Sequence, residues 1–179
     1  MKNRDYRWLL VLGCNVLLAW LTGLANHHLA GFNLSLYLGG LTVVYAALRL
    51  DRRHGLAAVF ATGLAWDAAT PAPFGLSAAL LGLGYAAIVA GRQRFPRDEP
   101  VFATVVTLLV NLGLFLALSF VFVGDNPRPA AAWLRLFADL ICSQVVLLLI
   151  TPWFIALNAR ALQLARLHPE TGRRLEPST

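Results

Sequence analysis

Four side chains in this sequence have the type and setting to do chemistry: Asp67, Asn111, Arg135 and Asp139 all lie within or at the end of long apolar runs. An ionisable group at membrane depth is costly, so such a set either ties helices together or forms a proton relay or polar ligand site. Depth follows from a helical rise of about 1.5 Å per residue. With a helix starting near Gly55, Asp67 lies about 18 Å along it, in the outer leaflet, before Pro71, Pro73 and Gly75 break the helix. Arg135 follows Pro129 at roughly 9 Å below the same surface, Asp139 is one turn deeper, and Asn111 falls near the middle of its own run. The expectation is that Arg135 pairs with Asp67 between helices, or with Asp139 at i, i+4, and that Asn111 bonds across to Asp139. Asp67 is expected to accept hydrogen bonds from the freed amides of the turn or to cap the next helix. Packing glue is the plainer reading of the set; transport is the sharper one, against which only two acids lie in the bundle where proton-coupled carriers often bring more.

The remaining reactive types do not assemble into a site. His27 and His28 read as residues of an outer loop without a nearby cysteine or acid, and two imidazoles alone make a poor metal site. Ser35, Ser77, Ser119 and Ser143 have no Gly-x-Ser-x-Gly context and no His and Asp at a common depth. Cys14 and Cys142 sit in apolar runs, where they read as small buried residues rather than a disulfide or metal pair. There is no P-loop, dinucleotide fingerprint or internal repeat. These readings predict a chain with no enzymatic activity, no cofactor and no metal.

The elements that must position these residues are membrane helices. Of 179 residues, 58% are hydrophobic and only 13% charged, against roughly a quarter charged in soluble domains. With a mean hydropathy of +0.64, this composition excludes both a soluble domain and a disordered chain. Apolar runs cover Trp8–Ala25, Phe32–Leu50, Gly55–Asp67, Phe74–Ala90, Val101–Val123 and Ala131–Leu157, and no period-two alternation suggests a barrel. The predicted fold is therefore an all-α polytopic membrane bundle of about six transmembrane helices. The five tryptophans lie mostly near the ends of these runs, as interfacial aromatics do.

Net charge is +6, which in a soluble chain would suggest nucleic acid; here the cations sort by loop. Lys2, Arg4 and Arg7 precede the first run, Arg49, Arg52 and Arg53 join the second and third, and Arg92, Arg94 and Arg97 join the fourth and fifth. Arg160, Arg166, Arg173 and Arg174 follow the sixth, leaving Arg128 in an opposite loop and Arg135 within the last run. The positive-inside rule then places both termini in the cytoplasm. Residues 1–160 form the transmembrane domain, and 161–179 a basic, flexible cytoplasmic tail suited to anionic headgroups or a partner. A competing reading takes the basic start and Gly23-Leu24-Ala25 as a cleavable signal peptide; Ala19 and Gly23 equally form a small-xxx-small pair on a retained helix that packs against a neighbour.

Between the third and fourth runs the residues read Gly63-Leu64-Ala65-Trp66-Asp67, then Ala68-Ala69-Thr70-Pro71-Ala72-Pro73-Phe74-Gly75-Leu76. This segment resembles the rod shape-determining protein MreD family, in which Gly-x-x-x-Asp is followed eight residues after the Asp by Gly; Gly63, Asp67 and Gly75 fit that spacing. The similarity continues through Tyr85 and the Arg92-Gln93-Arg94-Phe95 loop, and length and span layout fit as well. The resemblance implies a non-enzymatic, multi-pass protein of the bacterial cytoplasmic membrane. It would bind MreC and link RodA, its transpeptidase and the MreB cytoskeleton for lateral peptidoglycan synthesis, with Asp67 and Gly75 shaping the outer turn. Pro71 and Pro73 make this turn stiffer than the family pattern requires, and the tail after Arg160 is longer. The layout also resembles the S component of an energy-coupling-factor vitamin transporter. In that alternative Asp67, Arg135 or Asn111 would hold the ligand, and Ala19 and Gly23 would meet a coupling partner.

Overall fold

The computed structural model describes residues 6–70, 73–91, 100–123 and 129–164. Pro71, the Arg92–Phe95 segment, Arg128 and the tail from residue 165 onward lie outside the described residues. Six helices are described: α1 Arg7–Leu29, α2 Gly39–Arg49, α3 Arg52–Ala69, α4 Leu76–Gly91, α5 Pro100–Val123 and α6 Pro129–Leu164. The all-helical expectation holds, with two changes of boundary that matter for the site. First, α1 continues to Leu29 and through one 3₁₀ turn over Ala30–Phe32, ending where Asn33 adopts a left-handed conformation. His27 and His28 therefore stand on the last turn of α1, not in a loop. Second, the run expected to be helical from Phe32 is non-helical over 34–38, and α2 begins only at Gly39. Asn33 ends one helix, and Gly39-Gly40 are poor helix formers, so the chain stays open between them.

α2 is the centre of the molecule. Every residue from Gly39 to Leu48 is buried, as expected of a short helix that is apolar all round. α3, α4 and α5 pack around it, α1 packs on α3 and α6, and α3–α4 and α5–α6 form the two tightest helix pairs. Glycines set the closest approaches. A Cβ on Gly40 would come within 2.7 Å of the Asn111 backbone and of the Thr107 carbonyl oxygen, so α2 lies directly on the α5 backbone. A Cβ on Gly63 would likewise run into the backbone of Ala78, which brings α3 against α4.

The outer surface is apolar. Leu17, Trp20 and Leu24 of α1, Leu109 and Phe120 of α5, and Leu134, Phe137, Leu149 and Trp153 of α6 are all exposed, an arrangement suited to lipid rather than water. Three stretches, Arg7–Phe32, Val101–Val121 and Ala132–Leu164, are long and apolar enough to cross a membrane; Leu76–Gly91 is a shorter apolar helix. The protein is thus a helical bundle with membrane-spanning character.

Candidate functional site

The polar side chains inside the bundle gather at two interruptions of helix, and each interruption explains why they are there. In a medium without water, backbone N–H and C=O groups released from a helix must be satisfied by the protein itself.

The first interruption is the turn between α3 and α4. Asp67, only 4% exposed on the last turns of α3, reaches across to the start of α4. Its Oδ2 accepts from the N–H of Gly75 at 2.9 Å and of Ala78 at 3.2 Å, and its Oδ1 from the N–H of Ser77 at 2.9 Å. One carboxylate therefore satisfies three amides at the start of α4, where a negative charge also meets the positive end of the helix dipole. Gly75 has φ of 94°, which an L side chain rarely adopts. The expected capping role of Asp67 is what the structure contains. Gly63, Asp67 and Gly75 are brought together as contact, cap and turn of a single hairpin.

The second interruption is the non-helical segment 34–38, three of whose N–H groups are met by side chains from α1 and α6. Ser35 donates through its backbone N–H to Asp139 Oδ1 at 2.8 Å and through its hydroxyl to Oδ2 at 2.9 Å. Leu36 N–H donates to Asn26 Oδ1 at 2.7 Å, and Asn26 Nδ2 returns a bond to the Leu36 carbonyl at 3.0 Å. Tyr37 N–H donates to the Ser143 hydroxyl at 3.0 Å, which itself donates to the Asp139 carbonyl at 2.7 Å. At the start of α2, Gly40 N–H donates to Asn111 Oδ1 at 3.1 Å.

These bonds correct the pairings expected from depth alone. Asn111 does not bond to Asp139; both serve the 34–40 stretch, one from α5 and one from α6. Arg135 is exposed on α6, and among the described residues no ion pair joins it to Asp67 or Asp139. Both carboxylates are already occupied by N–H and O–H donors, which are closer partners than a guanidinium would be. An arginine this near a helix end can instead extend its head to the membrane interface. Accordingly, Arg135→Gln should change the melting temperature of the purified protein by no more than a surface substitution does, within about 0.5 kcal/mol. A loss of several kcal/mol would reinstate a buried ion pair.

Between the two interruptions lies a cavity of about 780 Å³, lined by α1, the 34–38 segment and the facing ends of α3 and α4. Ala19 and Gly23 border it. A Cβ on Gly23 would meet nothing within 4 Å, so the small-residue pair does not pack against another helix of this chain as expected. Tyr37 and Trp66 meet edge to face inside the lining, ring centroids 5.3 Å apart. Trp66 is thus not an interfacial tryptophan like the exposed Trp20 and Trp153. Its indole N–H and the Tyr37 hydroxyl are both buried without a hydrogen-bond partner.

Ser35 and Ser143 have no catalytic context in the sequence and Asn26 carries no motif; the only local signal for their bonding role is Asn33 and Gly39-Gly40 interrupting an apolar run. Asn15 is a further case: fully buried on α1, it donates to the Thr42 carbonyl and to the Thr62 hydroxyl, each at 3.2 Å, joining α1 to α2 and α3. Among the described residues no group of three His, Cys, Asp or Glu could hold a metal ion, and Cys14 and Cys142 are free thiols. Compared with protein-family models, curated proteins and solved structures, the chain matches none of them.

Proposed function

We propose that this chain is a non-enzymatic membrane adaptor of the bacterial cell elongation machinery, similar to the MreD family. It would bind MreC and, through it or directly, RodA with its transpeptidase and the MreB cytoskeleton. The observation that carries this reading is the hairpin turn itself. The three residues on which the resemblance rests, Gly63, Asp67 and Gly75, converge on one structural task, and the acid among them has its oxygens committed to backbone amides. Polar groups used in this way hold a shape; partner binding then falls to the exposed helix faces, where small and apolar residues pack best in lipid.

Six spans with both termini in the cytoplasm fit the same geometry. α2 has 11 residues and rises only about 16 Å; the five non-helical residues before it add at most about 3.3 Å each, so residues 34–49 span up to about 33 Å, comparable with the hydrocarbon thickness. Non-helical backbone at that depth is tolerated where it is enclosed by protein, as this segment is. Arg49, Arg52 and Arg53 then mark the cytoplasmic end of α2 and α3, and the Asp67 turn faces outward.

Depletion in the native rod-shaped cell, with recovery of MreC on the tagged protein, tests the adaptor. Rounded cells and co-purified MreC are expected; cells that keep their shape with no MreC recovered would remove the reading. The cavity favours a second reading, the S component of a vitamin transporter. Of the ligand-holding residues that reading names, however, Asp67 and Asn111 already bond backbone amides and Arg135 is exposed. A tight vitamin complex by calorimetry would displace the adaptor in its favour.

A further inference from the structure

We infer that Arg7 of α1 forms, with Arg52 and Arg53 of α3, a binding site for the phosphate of an anionic bilayer phospholipid whose acyl chain lies along Leu56 and Phe60. The register of the two helices brings the three cations to one level. Asn15 of α1 donates to the Thr62 hydroxyl of α3 at 3.2 Å, and further along Ala19 and Gly23 line one cavity with Ala65 and Ala69, so the two helices run side by side in the same direction at a constant offset. Eight residues back from that bond, about 12 Å along each helix, lie Arg7 and His54, with Arg52 and Arg53 within the same turn of α3. Arg7 also shares a face with Val11 and Asn15, at i, i+4 and i+8, and both of those are fully buried in the bundle. Its Nε is enclosed by protein, so the guanidinium is held in place instead of trailing into solvent.

Charge sets the class of ligand. Asp51, the only Asp or Glu at this end among the described residues, stands against three arginines, and its Oδ2 lies 3.9 Å from His54 Nδ1. α1 and α3 both begin at this level, which adds the positive ends of two helix dipoles. An arginine fork matches phosphate oxygens with two parallel bonds, whereas a zwitterionic headgroup would bring its own ammonium into the cluster. The surroundings make the ligand a lipid. Arg52, Leu56 and Phe60 lie at i, i+4 and i+8 on α3 and all three are exposed, and on α1 the exposed Leu9 is two residues from Arg7. The cations therefore border directly on lipid-facing surface, at the depth of headgroup phosphates, where each is attracted to anionic lipid. An acidic protein segment would meet the arginines and leave the apolar stripe uncovered. The site is independent of the adaptor reading and needs only the membrane setting.

The test releases the full chain from nanodiscs holding equal amounts of phosphatidylglycerol and phosphatidylcholine with matched acyl chains, and counts the lipids that stay bound by native mass spectrometry. The parent chain is expected to retain phosphatidylglycerol over phosphatidylcholine at least about tenfold. Arg52→Gln combined with Arg53→Gln should lower that preference about fivefold, and adding Arg7→Gln should bring the two lipids to parity. Arg135→Gln, which removes an exposed cation on α6, should leave the preference unchanged. Glycerophosphate at millimolar concentration, the same anion without acyl chains, should not displace the lipid. If the triple variant does not fold, as judged by its melting temperature, the double variant decides by its own fivefold drop. Equal retention of the two lipids by the parent, a preference that survives in the variants, or one that falls as far with Arg135→Gln would mean general surface charge and would overturn the proposal. Displacement by glycerophosphate would overturn it too, in favour of a site for a soluble anion.

Discussion

Asp67→Ala is expected to lower the stability of the protein by about 3 kcal/mol, because three N–H groups, two of them in buried bonds, lose their acceptor at once. Replacing an ordinary helix cap by alanine costs about 0.5–2 kcal/mol, with the released amides going to water. Here the carboxylate is 4% exposed, and the bonds from Ser77 and Ala78 are buried, with that from Gly75 partly so. Bonds to an ionised acceptor are also roughly twice as strong as neutral ones. Asp67→Asn separates the contributions. An amide oxygen in the place of Oδ2 keeps the bonds from Gly75 and Ala78, whereas the amide nitrogen then faces the Ser77 N–H, donor against donor. About half the cost of the alanine variant is expected. Thermal unfolding in detergent measures both, and faster hydrogen exchange at Gly75, Ser77 and Ala78 would localise the loss. An alanine variant as stable as the parent would mean that the turn, not the acid, holds α3 and α4 together.

The sequence carried the membrane class and the function of this turn, and failed on the second interruption for a physical reason. Asp67 is followed within eight residues by two prolines and a glycine, so the acceptor and the freed donors it serves are neighbours in the chain. Asp139 and Ser35 are separated by 104 positions, and no local pattern reports such a pair. Depth arithmetic placed Asp139 and Asn111 correctly inside the bundle but treated other polar side chains as their only available partners. Hydropathy reads residues 32–50 as one continuous helix, in which the amides of 35–40 would bond to carbonyls of their own helix. Composition cannot distinguish an apolar helix from an apolar segment that has opened; the clue was Asn33 with Gly39-Gly40. The same assumption misplaced Arg135, since a carboxylate already occupied by N–H donors has little need of a cation.

Asp139→Ala should release the 34–38 segment, and the expected cost is about 2–4 kcal/mol. Asp139 is 2% exposed and accepts both donors of Ser35, so alanine strands a backbone N–H and a hydroxyl together. The effect should spread. Ser143, one turn along α6, accepts from Tyr37 N–H, and that bond depends on the segment staying on α6. Ser143→Ala alone is expected to cost about 1 kcal/mol, and the double variant less than the sum, because the second tie is already loosened once the first is cut. Opening can be read directly. With Cys14→Ser and Cys142→Ser removing the native thiols, a cysteine introduced by Leu34→Cys should react with maleimide faster when Asp139 is alanine. Arg135→Gln in the same background should leave that rate unchanged. The opposite outcome, with Arg135→Gln opening the segment and Asp139→Ala silent, would show that Asp139 is not the anchor of Ser35. Because Leu36 and Tyr37 both line the cavity, the ties from Asp139, Asn26 and Ser143 also fix one wall of it, so the polar residues buried in this bundle hold its shape.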